Sequence, residues 1–596
     1  MRQTLAWLTV VLASFAPCSA SEDAPSADVD RSPADVVLNH EETWLITANR
    51  GASTLSLVEI ATGNVLHEVS CTAQPTALAL APDEKSVLVT GAHGGDLQRF
   101  RIEDSHLALA GAIHLSFDPR GVALSSDGRT AYVALAAGQC VAVVDLDSMT
   151  LRKKIEVGRW PRSVALAPHG RLAVACSGAG GVSVIDATTE TLLFAENFVG
   201  LNLGQLALSP DGQEVFFPWI AYGANPISEN NIQQGWVIAS RIGRVALEKK
   251  QRRKAIALDP RGKAVGDPTG MAVTSDNEWM VTSAAGTHEL LVFKLPGMGF
   301  HDYGGPGDHI DPAVLADDQR FYRVEVGGRP LNLRMSADNR HVYVANALLN
   351  SVQIVDLHER KLSRSIPLGG AEQPSLARQG EAIFFDARRS LDQWYSCHTC
   401  HWEGGTNAVT MDTHNDATVF TFKTVLPLRN LADTTPWTWH GWQQGLEDAM
   451  EKSLTDTMHG PKPTADDVKA LLAYFAEQST PPNPHRAQDG SLSEQAQRGE
   501  VVFQSADANC LQCHTGAYYT DGQIHDVGTN GASDWYEGYN TPSLLGVHDK
   551  PLLLHDGRAK SLEQLLTGKH NPENVAGQRP LTEQELSDLV AYLKSL

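Results

Sequence analysis

Two short motifs in the C-terminal half of the chain carry residues that could hold a metal cofactor covalently. Cys397-His398-Thr399-Cys400-His401 and Cys510-Leu511-Gln512-Cys513-His514 each place two thiols three positions apart, with a histidine directly after the second thiol. Thiols at this spacing can add to the two vinyl groups of one haem, while the histidine binds its iron. The spacing predicts one covalent haem c at each motif. The predicted attachment residues are Cys397, Cys400, Cys510 and Cys513, and the predicted proximal ligands are His401 and His514.

A Cys-x-x-Cys pair alone would also fit half of a zinc site or a redox-active dithiol. A zinc site needs no histidine directly after each pair, and a thioredoxin-like dithiol needs a βαβ setting. This chain carries the complete five-residue motif twice, each time after a predicted helical stretch. We therefore expect a redox protein with two haems c, and zinc or disulfide chemistry is the alternative.

The first twenty residues indicate export. A basic start is followed by an apolar stretch from Leu5 to Ala16 and by small residues up to Ala20, which is typical of a cleaved secretory signal. A lipoprotein processed at Cys18 is the alternative. No later stretch is apolar for long enough to span a bilayer, so we expect a periplasmic protein with no membrane span. The net charge of −22 disfavours nucleic acid as a partner.

The first half of the chain repeats a unit of about forty residues seven times, starting near residue 36. A typical unit begins with a phrase such as Leu206-Ala-Leu-Ser-Pro-Asp-Gly212 and contains an alternating third strand, as in Val141 to Asp145. Four strands per unit predict a seven-bladed β-propeller over residues 33–373. Two longer intervals predict insertions, roughly from Trp219 to Trp236 and from Gly297 to Asp318. Through Tyr343-Val-Ala-Asn346 this half resembles the YVTN-type propellers.

From residue 374 the pattern changes to helices, and one module is written twice, over residues 374–485 and 486–596. The opening helices are predicted over 376–389 and 494–504, the second with Ser491 and Glu494 as a capping box. Gly380 and Gly499 stand in matching places. Both modules close on an amphipathic helix, after Thr464 and after Thr582. The predicted fold is multidomain: an all-β propeller followed by an all-α region with two cytochrome c modules.

The second half resembles the bacterial di-haem cytochrome c peroxidase and MauG family over about 220 residues. The resemblance rests on Thr520-Asp521-Gly522, His525-Asp526-Val527-Gly528, Thr541-Pro542-Ser543-Leu544 and His555-Asp556-Gly557-Arg558. In that family the first module carries the reactive haem, the second carries an electron-transfer haem, and a tryptophan between them relays electrons. The resemblance implies that Trp439 is this relay, and a packed core indole is the alternative.

The same resemblance bears on the remaining iron ligands and on calcium. The family places a methionine or tyrosine where Lys569 stands, so the neighbouring His570 is the predicted sixth ligand of the second haem. His414, with Met411 nearby, lies where such peroxidases keep a displaceable histidine at the first haem. The family binds calcium between the modules through an asparagine, and Val425 stands at the aligned position here. The resemblance therefore leaves open whether this chain binds calcium.

The chain departs from the family at the residues that assist peroxide cleavage. The aligned glutamine position is Ala449, and no glutamate stands where the family has one. Asp456 or His459 is the predicted substitute for proton transfer.

These observations predict an exported di-haem oxidoreductase. Electrons would enter at the second haem, and peroxide-type chemistry would take place at the first. A small redox protein is the expected electron donor or acceptor, and the propeller would dock a partner or a protein substrate. A non-enzymatic di-haem electron carrier or binding protein is the alternative, and a propeller with its own d1-type haem is a third interpretation.

Overall fold

The computed structural model describes residues 26–301, 308–414, 418–531 and 534–596 of the chain. The predicted export signal lies outside these residues. Within them, the N-terminal half forms seven antiparallel sheets, which are the blades of a seven-bladed β-propeller, and the C-terminal half forms helices joined by irregular loops. No helix in the described residues is both long enough and apolar enough to cross a membrane.

Each blade is built from strands that are consecutive in the chain and pair as neighbours. The strands are, in blade 1, β1 (Pro33–Leu38), β2 (Trp44–Asn49), β3 (Thr54–Glu59) and β4 (Val65–Ser70); in blade 2, β5 (Pro75–Leu80), β6 (Ser86–Gly91), β7 (Asp96–Glu103) and β8 (His106–His114); in blade 3, β9 (Pro119–Leu124), β10 (Thr130–Leu135), β11 (Cys140–Asp145) and β12 (Thr150–Glu156); in blade 4, β13 (Pro161–Leu166), β14 (Arg171–Cys176), β15 (Gly181–Asp186) and β16 (Thr191–Asn197); in blade 5, β17 (Gly200–Leu201), β18 (Ala207–Leu208), β19 (Glu214–Tyr222), β20 (Ile238–Ala246) and β21 (Lys254–Ala257); in blade 6, β22 (Pro268–Val273), β23 (Trp279–Ala284), β24 (Glu289–Lys294) and β25 (Phe321–Glu325); and in blade 7, β26 (Pro330–Met335), β27 (His341–Asn346), β28 (Ser351–Asp356) and β29 (Lys361–Pro367).

Short helices make up most of the regular structure in the C-terminal half. The helices are α1 (Glu229–Gln233) and α2 (Pro312–Leu315), both in propeller loops, and then α3 (Leu376–Phe384), α4 (Cys397–Cys400), α5 (Leu446–Lys452), α6 (Ala465–Ala476), α7 (Glu494–Gln504), α8 (Leu562–Thr567), α9 (Pro572–Val575) and α10 (Glu583–Lys594). The helix expected over 376–389 is thus shorter than predicted, and a separate 3₁₀ turn, Ala387–Arg389, follows it. Two short strand pairs, β30 (Thr410–Met411) with β31 (Lys423–Thr424) and β32 (Ile524–His525) with β33 (Tyr539–Asn540), complete this half.

The repeated Ser-x-Asp-Gly phrase builds the turn between the inner strands of a blade. In blade 5, the hydroxyl of Ser209 and the backbone N–H of Gln213 donate to the Asp211 carboxylate at 2.6 and 3.0 Å. Gly212 follows with a φ of 69°, and Gly128 of blade 3 has the same φ. The carboxylate fastens the turn, and glycine accepts the positive φ without strain.

The ring closes between blade 7 and blade 1 without any exchange of strands. β1 packs beside β26, and apolar side chains of the two blades share one core that includes Val36 and Tyr343. The carboxylate of Asp35 pairs with Arg334 of blade 7 at 3.1 Å and accepts the backbone N–H of Leu78 at 2.9 Å. The junction is therefore held by side-chain packing and by one buried carboxylate.

Arg378, in the first turn of α3, lies across this junction. Its guanidinium donates to the Ser32 hydroxyl at 2.9 Å and to the Ala347 carbonyl at 2.6 Å. It also pairs with Glu381 of its own helix at 2.6 Å. Asn350 of blade 7 accepts the backbone N–H of Ser32 at 2.9 Å. One helical residue thus links the start of the propeller, its last blade and the C-terminal half.

The insertion in blade 5 packs against the C-terminal half. Ile227 and Ile232, in and near α1, belong to the same buried core as Phe384 of α3 and Leu471 of α6. The backbone N–H of Ile227 donates to the Asp412 carbonyl at 2.8 Å. The predicted insertion in blade 5 therefore packs against the helical region of its own chain.

The helix caps follow the sequence signals with one exception. Thr464 and Thr582 cap α6 and α10 as predicted, each with a capping box. The N-cap of α7 is Ser493, which accepts the backbone N–H three residues on. The predicted capping box of Ser491 and Glu494 is wrong, because Glu494 is already the first residue of the helix.

The two opening helices cross the two closing helices at matching glycines. A Cβ on Gly380 of α3 would lie 1.9 Å from the carbonyl oxygen of Ala470 in α6. A Cβ on Gly499 of α7 would lie 1.9 Å from the carbonyl oxygen of Asp588 in α10. The matched glycines of the sequence therefore mark two equivalent helix crossings, where the backbones touch.

We expect Gly380→Ala and Gly499→Ala each to destabilise the C-terminal half by about 1–3 kcal/mol or more, because the added methyl group forces the paired helices apart. Denaturant unfolding followed by circular dichroism measures the loss. The matched control is Val501→Ala on α7, whose side chain is 69% exposed and should change stability by less than about 0.5 kcal/mol. Equal midpoints for all three variants would contradict the close crossing.

Candidate haem sites

The first Cys-x-x-Cys-His motif is held against the propeller. α4 spans Cys397–Cys400, and the hydroxyl of Thr399 donates to the Asp267 carboxylate at 2.6 Å. Asp267 directly precedes the first strand of blade 6, is buried, and also accepts a hydrogen bond from Ser396. Asn202 of blade 5 donates to the Thr399 carbonyl at 3.0 Å. Residues of two blades therefore fix the backbone that carries the two thiols.

His401 turns one ring nitrogen toward a large cavity. Its Nδ1 donates to the Leu426 carbonyl at 3.0 Å, so the ring proton is on Nδ1 and Nε2 is free for a metal. Burial lowers the pKa of His401 to about 4, so the imidazole is neutral, as a metal ligand must be. The cavity has a volume of about 1250 Å³. Its lining includes Pro436, Trp437, Gln443, Leu446, Ala449 and Met450.

The second motif has an equivalent arrangement on a different local element. A 3₁₀ turn spans Cys510–Gln512, and His514 Nδ1 donates to the Tyr519 carbonyl at 3.0 Å. Burial lowers the pKa of His514 to about 4. Both thiols and the histidine line a cavity of about 1410 Å³. Much of the remaining lining is apolar and includes Leu552, Leu562, Leu566 and Leu593.

His570 faces His514 across this second cavity. The two ring centres are 6.4 Å apart, with an interplanar angle of 82°. Imidazole nitrogens bind a first-row metal at about 2.0–2.1 Å, so two imidazoles on opposite sides of one ion have ring centres about 6.4 Å apart. The Nδ1 atom of His570 is buried and lacks a hydrogen-bond partner among the described residues. The spacing of the two rings therefore suits one metal ion between them.

A common wall separates the two cavities. Residues that line both include Pro427, Thr541, Pro542 and Lys550. The segment 437–439 crosses this wall, since Trp437 lines the cavity of His401 and Trp439 lines the cavity of His514. Trp439 Nε1 donates to the Thr424 carbonyl at 2.9 Å, which fixes the indole.

The residues at both motifs fit covalent haem. The four motif cysteines are free thiols, both histidines present an unprotonated Nε2, and each histidine opens on a cavity. A zinc site would need further thiolate, imidazole or carboxylate ligands beside each motif. In the described residues the one such cluster is Cys513, Asp521 and His525, and it includes one of the predicted haem thiols.

The chain is similar to several known proteins. The cytochrome c family model matches residues 496–596. The hydrazine synthase subunit gamma of Kuenenia stuttgartiensis is 27% identical over 273 residues, which are 37% of this chain and 77% of that protein. The methylamine utilization protein MauG of Methylorubrum extorquens is 27% identical over 282 residues, which are 37% of this chain and 78% of that protein. Among solved structures, Kuenenia stuttgartiensis hydrazine synthase aligns with 55% of this chain and 96% of the compared chain, at 21% identity and a TM-score of 0.49.

The chain is a seven-bladed β-propeller fused to a MauG-like cytochrome region. The cofactor of that cytochrome region is covalently bound haem c. The predicted fold class is thereby confirmed.

Several residues predicted for the first site lie outside the lining of the His401 cavity. Met411 packs against the first motif, with its sulfur 3.3 Å from Cys400 Sγ. His414 has a buried Nε2 that lacks a hydrogen-bond partner among the described residues. Asp456 is exposed, and His459 is half-buried after the π-helical turn Ser453–Thr457.

Residues that were not predicted from the sequence also line this cavity. They include Gln443, which precedes α5, and Met450 on α5. Leu446, Ala449, Met450 and Ser453 all line the cavity, and they follow one another at helical i, i+3, i+4, i+7 spacing. The periodicity of this short segment could therefore have predicted which residues line the cavity of His401.

We expect the variant Cys397→Ser/Cys400→Ser to lose one haem, and Cys510→Ser/Cys513→Ser to lose the other, because each thioether pair holds one porphyrin. Intact-mass spectrometry of the purified protein counts the haems. Cys71→Ser, which changes a half-buried thiol outside both motifs, is the control and should keep both. A wild-type chain with a single haem, or a haem retained after loss of both its thiols, would contradict the assignment.

Proposed function

We propose that this chain is an exported di-haem c-type oxidoreductase that takes up electrons at the second motif and reduces a peroxide-type oxidant at the first. The different surroundings of the two motifs carry the proposal. His398 and Thr399, between the first pair of thiols, are 4% and 1% exposed, whereas Leu511, between the second pair, is 44% exposed. A redox protein can therefore approach the thiol edge of the second motif, while the propeller covers that of the first.

The facing histidines support an electron-transfer role for the second site. His514 and His570 would hold the iron of this haem, since their ring centres lie 6.4 Å apart. Two such ligands would leave no open position for an oxidant, so this site would exchange electrons only.

The first cavity supports a reactive role. His401 is the one histidine in its lining, as far as the described residues show. Haem c supplies one-electron redox chemistry and, where a position on its iron is open, a binding site for the oxidant. Gln443, Lys452 and Ser453 line the same cavity and offer an amide, an amine and a hydroxyl to hold the oxidant or to pass protons. Reduction of one peroxide to two waters consumes two electrons and two protons, so both electrons and protons must reach this cavity.

Trp439 suits an electron path between the sites. It lines the second cavity, and its neighbour Trp437, two residues earlier, lines the first. The hydrogen bond from the indole to the Thr424 carbonyl holds the ring in place, so little reorganisation would accompany transfer.

One observation favours the alternative of a non-enzymatic electron carrier. The thioether of Met450 lines the first cavity and is of a type that binds haem iron in cytochromes c. If Met450 closed this site, the first haem would be low-spin in every redox state, and Met450→Ala would make it high-spin.

Electron paramagnetic resonance of the oxidised and half-reduced protein separates the two candidates. The enzyme predicts a high-spin signal from the first haem and rapid reaction of the half-reduced protein with hydrogen peroxide. We expect His570→Ala to convert the second haem from low-spin to high-spin, because one axial ligand is lost. His40→Ala, at an exposed surface histidine, is the control and should leave both signals unchanged. Low-spin signals in all states with no peroxide consumption would overturn the enzyme.

We expect Trp439→Phe to slow electron transfer between the haems by about tenfold or more, which equals about 1.4 kcal/mol of barrier. Stopped-flow absorption after reduction by a small donor measures the rate at which the first haem is reduced. Trp535→Phe, at an indole that is 78% exposed, is the matched control and should keep the wild-type rate. An unchanged rate in Trp439→Phe would remove this residue from the path.

A further inference from the structure

The central channel of the propeller carries an excess of positive charge. The channel, with a volume of about 1210 Å³, is lined by residues on or next to the first strands of the blades. Its charged lining residues are Arg50, Arg120, Arg162, Arg329, Arg334, Asp35 and Glu403. Five guanidinium groups thus face two carboxylates, in a chain whose net charge is −22. Because Asp35 pairs with Arg334, the excess positive charge lies at the end of the channel nearest the cytochrome region.

Glu403 of the cytochrome region enters this end of the channel. It follows His401 by two residues and has a φ of 51°. Its carboxylate pairs closely with Arg50 and lies 4.0 Å from Arg120 and 3.9 Å from Arg329. One carboxylate therefore serves three arginines.

Arg162 has no carboxylate partner among the described residues. Its Nε and Nη1 atoms are buried without a hydrogen bond, and its guanidinium lies 4.1 Å above the ring of Trp402. Arg329, which is 7% exposed and stacks on Phe385 at 3.4 Å, likewise has a buried Nε without a partner. Guanidinium nitrogens left without hydrogen bonds in a protein interior are costly, so binding of a ligand that accepts those hydrogen bonds would be favourable.

A ligand can reach these arginines from a second cavity. The gap between the propeller and the cytochrome region has a volume of about 1870 Å³ and is partly open to solvent. Arg50, Arg120, Arg162, Arg329 and Glu403 line both this gap and the channel. The arginines therefore form a ring at the point where the two spaces meet.

We propose that this arginine ring binds a small inorganic oxyanion of the phosphate type, with Arg162, Arg120 and Arg329 as donors. Guanidinium groups match such oxygens in pairs, and the aromatic rings under Arg162 and Arg329 hold the planes in fixed orientations. Asp118 also pairs with Arg120, so two carboxylates, Asp118 and Glu403, face the four arginines of the ring, which keeps a net positive charge. The site lies on the propeller axis, apart from the cavities beside His401 and His514, and it does not depend on the redox chemistry proposed above.

Isothermal titration calorimetry of the holoprotein with inorganic phosphate, at constant ionic strength set by chloride, tests this site. We expect one phosphate per chain and a rise in Tm with phosphate, because a ligand that binds only the folded state stabilises it. Arg162→Met should weaken binding by about tenfold or more, the loss expected when a charged hydrogen-bonding group is removed. Arg129→Gln, at an exposed arginine on the outer face of blade 3, is the matched control and should bind as the wild type does.

The measurement on the wild-type protein can overturn the proposal without any variant. If phosphate produced neither heat of binding nor a change in Tm, the proposal would be wrong. Equal affinity in Arg162→Met and the wild type, with the haem absorption spectrum intact in both, would also overturn it. Loss of phosphate binding in Arg162→Met with an unchanged haem spectrum would support it and would separate this site from the haem chemistry.

Discussion

The carboxylate of Glu403 is the contact on which the joining of the two halves depends. Arginines from blades 1, 3 and 7 meet near the propeller axis, and the counter-charge comes from the cytochrome region. Burial alone would raise the pKa of Glu403, but Arg50, Arg120 and Arg329 hold it well below the usual range. Removing one partner of such a buried pair typically costs about 3–5 kcal/mol, so Glu403 couples the two halves electrostatically. Because Glu403 is two residues from His401, that coupling acts directly on the backbone of the first haem motif.

The same contact makes the two cytochrome modules unequal. In the first, Asp267, Asn202 and the arginine ring cover the thiol edge, while in the second the corresponding edge is exposed. The duplicated helices and the paired glycines keep the two modules alike inside. What differs is their surroundings: the thiol edge of the first module lies against the propeller, and that of the second is open to solvent.

Much of the fold was readable from the sequence, because its signals are local. The blade repeat, the Asp-Gly turns, the caps at Thr464 and Thr582 and both haem motifs follow from spacing within a few residues. The arginine ring did not, although Pro-Arg opens both β9 and β13 and Glu403 has a glycine, Gly516, as its counterpart in the second copy. Nothing within one blade shows that arginines from several blades converge on one axis. The cap at Ser493 was missed because two nearby serines offer the same signal, and only packing against α10 selects between them.

The reach of Arg378 across the junction of blades 1 and 7 bears on how the molecule is assembled. In the described residues no strand is exchanged between blade 7 and blade 1. Side-chain packing and the Asp35–Arg334 pair hold the junction, and a guanidinium from the first helix beyond the ring adds hydrogen bonds to Ser32 and Ala347. During synthesis the seven blades therefore emerge before this guanidinium. The last hydrogen bonds across the junction can form only after α3 has left the ribosome, which ties completion of the β-domain to arrival of the segment that carries the first Cys-x-x-Cys-His motif.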